Sequence, residues 1–259
     1  MSDADRKPVP GGGKKKHGGE SGDSVIKPED IPTWERPSAK VLERAAAKQL
    51  PLFILFEGEN DESADGKYIH GAEIVKLAKE KAVFLRVAYT SDREPSWNDG
   101  SMVPTSKILG KNPSRDYDIK SYPTMLVTDA YGNEYFRFTA KPDAASLGKK
   151  IDAVAEQAKK TNEKLQKSLD AAKKSFESKD RAKALKGLLE NFRTGVVGLD
   201  AQEASIKLYH EIIDAGRKEL DAAVAEGGKD LQKRLKELKG IYKDTELNKD
   251  IDAAIKGAK

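Results

Sequence analysis

The chain has 259 residues, 47 basic and 43 acidic, a formal net charge of +4, and a composition that is 35% charged and 37% apolar. That length holds one large domain or two ordinary ones. The near-balance of charge argues against a dedicated nucleic-acid binder, which needs a basic face, and no apolar run approaches the roughly 18–20 residues that cross a bilayer. The chain contains no cysteine, which excludes disulfides, thiolate zinc sites and thiol-dependent reactions.

Residues 1–30 are rich in Gly, Pro and Lys and have almost nothing to bury, so they read as a disordered tail. The cluster Lys14-Lys15-Lys16-His17 within it reads as solubilising. The segment lacks the apolar core of a signal peptide. The expected compartment is therefore the cytoplasm, or an extracytoplasmic one if a leader has been removed.

Structure is expected from about Trp34. Ser38 after Pro37 is a candidate N-cap, and Val41, Leu42 and Ala45–Ala47 predict a short helix to about Gln49. Pro51-Leu52-Phe53-Ile54-Leu55-Phe56 is a continuous apolar run whose length suits a strand buried on both faces. Residues 57–70 are polar and acidic, 72–81 carry apolar residues at helical spacing, and 82–89 read as a second strand. Strand, helix and strand at this spacing make a βαβ unit with parallel strands.

Residues 90–121 read as a long irregular stretch with one turn of helix around Ser106–Leu109. Thr124–Thr128, the turn Ala130-Tyr131-Gly132-Asn133 and the strand Asn133–Thr139 make a β-hairpin. From Asp143 the composition turns to Ala, Lys, Glu and Leu. Leu147, Ile151, Val154, Ala158, Leu165, Leu169, Ala172 and Phe176 then form one helical stripe. Further helices are expected over 180–194, 200–226, 229–243 and 246–257, with Asp180 and Asp200 as caps. The boundaries that follow are a tail over 1–30, an α/β domain over 31–158, and a helical bundle or array of helical hairpins over 159–259.

The segment Tyr117-Asp118-Ile119-Lys120-Ser121-Tyr122-Pro123-Thr124 resembles the thioredoxin stretch that leads through a cis proline into a central strand. The arrangement of Trp34, helix, Pro51 and apolar strand is similar to the start of the same superfamily, and the likeness covers about residues 34–155. It implies an α/β thioredoxin-like domain with a mixed central sheet. It also places the family's Cys-x-x-Cys near Asp61-Glu62-Ser63-Ala64, where both sulfur positions are lost. Only Pro123 carries over, as a structural and substrate-facing residue. The backbone of Tyr122, Pro123 and Thr124 is the expected edge for an extended peptide. The whole plan is similar to redox-inactive secretory chaperones that join a thioredoxin fold to an all-helical domain.

Other candidates carry plainer readings. Glu57, Glu59, Asp61, Glu62 and Asp65 are residue types that suit calcium. Their spacing is not that of a calcium loop, so they read as solvated acids and no metal is expected. His70 has no nucleophile or metal motif beside it, and His210 reads as a bundle-surface residue. The basic pairs of the helices interleave with acids, as solvated faces do. There is no phosphate loop, dinucleotide fingerprint or Gly-x-Ser-x-Gly elbow. The expectation is a chain that is not an enzyme, uses no cofactor, and binds a protein or extended peptide in the manner of a chaperone. The alternative is a structural scaffold or assembly subunit that oligomerises through its C-terminal helices.

Overall fold

Alternation of side chains splits the apolar run of the first strand between two cores. The computed structural model describes residues 26–59, 67–89 and 102–258, and in it β1 (Leu52–Phe56) is buried at all five positions. Leu52, Ile54 and Phe56 enter one cluster with Val41, Leu42 and Ala45 of α1 (Ala39–Ala47). Phe53 and Leu55 enter the opposite cluster with Ile74 of α2 (Ala72–Glu80) and with Leu147, Ile151 and Val154 of α4 (Ala144–Glu177). The period of two along a strand produces this division.

β2 (Val83–Val87) pairs parallel with β1 and completes the expected βαβ unit. β3 (Thr124–Thr128) pairs antiparallel with β1 on its other side, and β4 (Glu134–Phe138) antiparallel with β3, giving the order β2-β1-β3-β4. The sheet is therefore mixed. The outer edge of β2 is covered by Glu35, whose N–H donates to the Phe84 carbonyl (2.9 Å) and whose carbonyl accepts from Arg86 N–H (2.9 Å). Ser38 caps α1 as expected, its hydroxyl accepting from Val41 N–H at 3.3 Å.

Two short elements fall where the sequence suggested irregular chain. Pro28–Asp30, inside the expected tail, form a 3-10 turn, and the Asp30 carbonyl accepts from Gly71 N–H (2.7 Å). α3 (Pro113–Asp116) starts on a helix-compatible proline, with Asn112 accepting from Arg115 N–H (3.0 Å). Four residues are too few to show a helical period, so only its cap and proline could have marked it. The expected turn of helix near Ser106–Leu109 is present as a 3-10 turn over Lys107–Leu109.

The C-terminal part is helical throughout: the second half of α4, then α5 (Arg181–Arg193), α6 (Asp200–Glu226), α7 (Leu231–Tyr242) and α8 (Leu247–Gly257). One continuous core joins all five, including Leu169, Leu188, Ile212, Leu235 and Ile251. Asp180 caps α5, accepting from Lys183 N–H at 3.0 Å. Asp200 does not cap α6; it is the first helical residue and Leu199 precedes it as the cap. The Oδ1 of Asn162 on α4 accepts from Ala201 N–H (2.9 Å) instead, so the helix start is satisfied from a neighbouring element. Among the described residues no helix is long and apolar enough to cross a membrane.

Tyr242 of α7 is fully buried across α6, its ring lying where Gly216 has no side chain. A Cβ at Gly216 would stand 2.4 Å from the ring, whereas one at Gly240 of α7 meets nothing within 4 Å. The same Gly→Ala change is therefore expected to act with opposite sign at the two positions. Gly240→Ala gains roughly 0.5–1 kcal/mol of helix propensity, and Gly216→Ala loses about 1–3 kcal/mol to overpacking. Thermal unfolding of the two variants checks both signs, at about 2–4 °C per kcal/mol for a chain of this size.

Candidate functional site

β1 and β2 end, and β3 begins, at one end of the sheet, because Phe56 is paired with both Val87 and Thr124. Glu57 continues past the pairing, with its N–H donating to the Val87 carbonyl (3.0 Å). The Tyr122–Pro123 peptide bond facing it is cis. The Thr124 hydroxyl donates to the Ser121 carbonyl (2.6 Å) and folds the approach to the strand. Tyr122 is half-buried, and Tyr89, 37% exposed, meets its ring edge-on at 5.3 Å. Backbone and aromatic surface therefore meet at this mouth.

The peptide edge expected from the sequence needs a correction at Thr124. That residue is 1% exposed and lies on an interior strand, paired with Phe56 on one side while β4 flanks the strand on the other. A peptide cannot add alongside β3; the accessible main chain is that of Tyr122 and Pro123, ahead of the pairing. A local strand pattern does not show which neighbours a strand acquires, and residues 122–128 alone carry no mark of the two strands that flank them. The positions assigned to the lost Cys-x-x-Cys, Asp61, Glu62, Ser63 and Ala64, lie outside the described residues, as does Asp65.

Of the acidic loop, Glu57 and Glu59 are described. Glu57 is buried (5% exposed), and its Oε1 accepts from Arg86 Nε (2.6 Å) and Nη2 (2.5 Å). The pair lies with Trp34, Arg36 and Ala88 around a cavity of about 120 Å3. A guanidinium thus already meets this carboxylate, which the sequence offered only as one of several acids. Glu59 is exposed. Among the described residues no three His, Asp or Glu side chains are grouped to hold a metal ion. His70 lies with its Nδ1 at 2.8 Å from the Lys67 carbonyl, and His210 is exposed beside the Tyr209 ring.

At the opposite end of the strands the β3–β4 turn makes a polar clasp that the sequence reading took only for a turn. Asp129 is buried (7% exposed). Its Oδ1 accepts from the N–H groups of Tyr131 (2.9 Å) and Asn133 (3.0 Å), and its Oδ2 from Asn133 Nδ2 (2.7 Å) and the Tyr135 hydroxyl (3.1 Å). So oriented, the Asn133 amide donates to the Val197 carbonyl (2.7 Å) and accepts from Val197 N–H (2.9 Å), joining the hairpin to the α5–α6 loop 64 residues away. Gly198, at φ +73°, packs beside this on the ring of Tyr131, where any Cβ would collide at 2.3 Å. Asp and Asn around a Gly signal a turn, but nothing local signals the distant partner. Burial pushes the Asp129 carboxyl above the usual aspartate range, against the opposing pull of its four hydrogen bonds. Burial, with Asp129, Glu134 and Asp116 nearby, also raises the Tyr117 phenol, which donates to the Gly132 carbonyl (2.6 Å).

Asn133→Ala strips the Val197 N–H and carbonyl of their partners and removes one of the two hydrogen bonds to Asp129 Oδ2, while the backbone N–H at 133 still donates to Oδ1. It is expected to cost about 2–3 kcal/mol, read as a lower urea midpoint together with faster hydrogen exchange at the Val197 amide. The Asp129 carboxyl carbon should titrate in NMR with a midpoint above about 3.9, the unperturbed value. Because the folded chain holds this proton more tightly than the unfolded one, its contribution to stability is complete below the unfolded pKa and is lost as pH rises through the folded one. A midpoint at or below the unperturbed value contradicts this.

No protein family matches the chain, and no curated protein matches it. Among solved structures the chain is similar to one described as DsbH oxidoreductase, at 18% sequence identity and a TM-score of 0.35, over 52% of this chain and 95% of that one.

Proposed function

We propose that this chain is a non-catalytic, chaperone-like protein-binding module, and that its α/β part is a redox-inactive thioredoxin-like domain followed by a helical domain. The carrying observation is the mouth itself. Main chain at Tyr122 and Pro123 faces the end of β1 beside two aromatic rings, in a chain with no cysteine to perform exchange on whatever is held there. The order β2-β1-β3-β4 with its mixed pairing also supports the reading. An extended peptide would take main-chain hydrogen bonds at residues 122–123 and lay an apolar side chain on Tyr89 and Tyr122.

The scaffold reading has one observation in its favour. Val224 is 50% exposed on α6, in a shallow depression shared with Leu220 and with Ala253 and Ala254 of α8. A second copy seated there would cover it.

Reduced, carboxymethylated α-lactalbumin, which stays unfolded, is a suitable client for the test. The full chain should bind it, and Tyr89→Ser combined with Tyr122→Ser should weaken binding about tenfold, or ~1.4 kcal/mol, with the circular dichroism unchanged. Absence of binding, or binding indifferent to both tyrosines, rejects the mouth. A stoichiometric oligomer in sedimentation that Val224→Glu dissociates supports the scaffold instead.

A further inference from the structure

The fold leaves an apolar groove bare at the end of the sheet away from Pro123. Leu52 is paired with Thr128, so Leu50 and Pro51 lie beside Asp129 and Ala130 there, roughly 15 Å from the mouth at ~3.3 Å per strand residue. The apolar stripe of α4 is interrupted at the same level. Val154 is the last of its residues in the sheet core and Leu169 the first in the bundle core, with the small side chains of Ala155 and Ala158 between them. The α5–α6 loop returns at Val197–Leu199, held by the Asn133 clasp. Two cavities of about 480 and 510 Å3 result, and they share Ala46, Ala130 and Tyr131. Their walls are mostly apolar, and Leu109 and Tyr131 stand 46% and 37% exposed along them.

The charge around this groove is opposite to that of the chain. Among the described residues its lining includes Glu43, Glu80, Asp129, Asp152 and Glu203 against one cation, Lys81. Lys81 already donates to both oxygens of Asp152 (2.7 and 2.9 Å). Glu203 accepts from Gly198 N–H, and Glu43 and Glu80 make no ion pair among the described residues. A protein of net charge +4 thus carries an apolar groove with an acidic rim.

We propose that this groove is a second binding surface that takes a cationic amphipathic segment of a partner protein. Apolar side chains of the segment fill the two cavities on either side of Tyr131, and its Lys or Arg residues reach Glu43, Glu80 and Glu203. Apolar burial supplies the affinity and the acidic rim selects the charge of the partner. The surface is separate from the mouth and does not depend on the function proposed for it.

The test uses the full chain and a fluorescent amphipathic peptide of Leu and Lys at helical spacing, with a Leu/Glu peptide of the same pattern as control. Saturable binding of the Leu/Lys peptide should exceed that of the control by about tenfold or more, and weaken as salt rises from about 0.1 to 1 M. Amide shifts should map to α1, the β3–β4 turn and residues 197–203. Glu43→Lys with Glu203→Lys, and separately Leu109→Ser, should each weaken binding by about tenfold, while Tyr122→Ser leaves it unchanged. No saturable binding, equal binding of both peptides, or shifts elsewhere overturns the proposal. Sensitivity to Tyr122→Ser moves the peptide to the mouth and overturns the groove alone. Groove amides that shift with protein concentration, alongside a dimer in sedimentation, assign the surface to a second copy and also overturn it.

Discussion

A single helix belongs both to one of the two sheet cores and to the bundle core, and the placement of everything else follows from it. Over 34 residues α4 runs about 51 Å at 1.5 Å per residue, much further than a four-stranded sheet of five-residue strands needs. Its first turns bury Leu147, Ile151 and Val154 beneath the sheet, and its last bury Leu169 and Ala172 in the bundle. The boundary drawn from composition at residues 158 and 159 falls inside this helix. A continuous backbone hydrogen-bond ladder resists bending there, so the sheet and the bundle are held at a fixed separation along one axis.

The Asn133 clasp closes the angle that a lone helix leaves open. Two hydrogen bonds to Val197 and the ring of Tyr131 against Gly198 set the rotation of the bundle about α4. The buried Asp129 orients the asparagine and carries a desolvation cost for doing so. A buried polar network of this kind stabilises only while every member is satisfied, which makes the junction specific. The acidic groove is a by-product of the same geometry, since the clasp draws the α5–α6 loop close without filling the space beside Ala155 and Ala158.

The two ends of the sheet thereby acquire different characters. At the mouth, strand ends leave main chain and aromatic rings available, and the acid that sequence pattern placed there, Glu57, is tied to Arg86. At the far end, apolar walls lie under acidic side chains, of which Glu43 and Glu80 make no ion pair among the described residues. Neither end carries a thiol, since the chain has no cysteine.

Local pattern carried most of the elements. The run Leu52–Phe56 was legible as a doubly buried strand because every position is apolar, and the helices after residue 143 because their apolar residues recur at three and four. Ser38 and Asp180 were legible as caps because a cap acts within three residues of its own position. Asp200 was misread for the complementary reason: Asn162, far away in sequence, supplies the partner to the start of α6. The place of β3 between β1 and β4, the pairing of Glu57 with Arg86, and the reach of Asn133 to Val197 all join residues whose separation in the chain leaves no periodic trace. Periodicity and capping chemistry are short-range and are written into neighbouring residues. Strand order, buried ion pairs and long-range clasps exist only once the chain has closed on itself, because burial is what gives those contacts their energy.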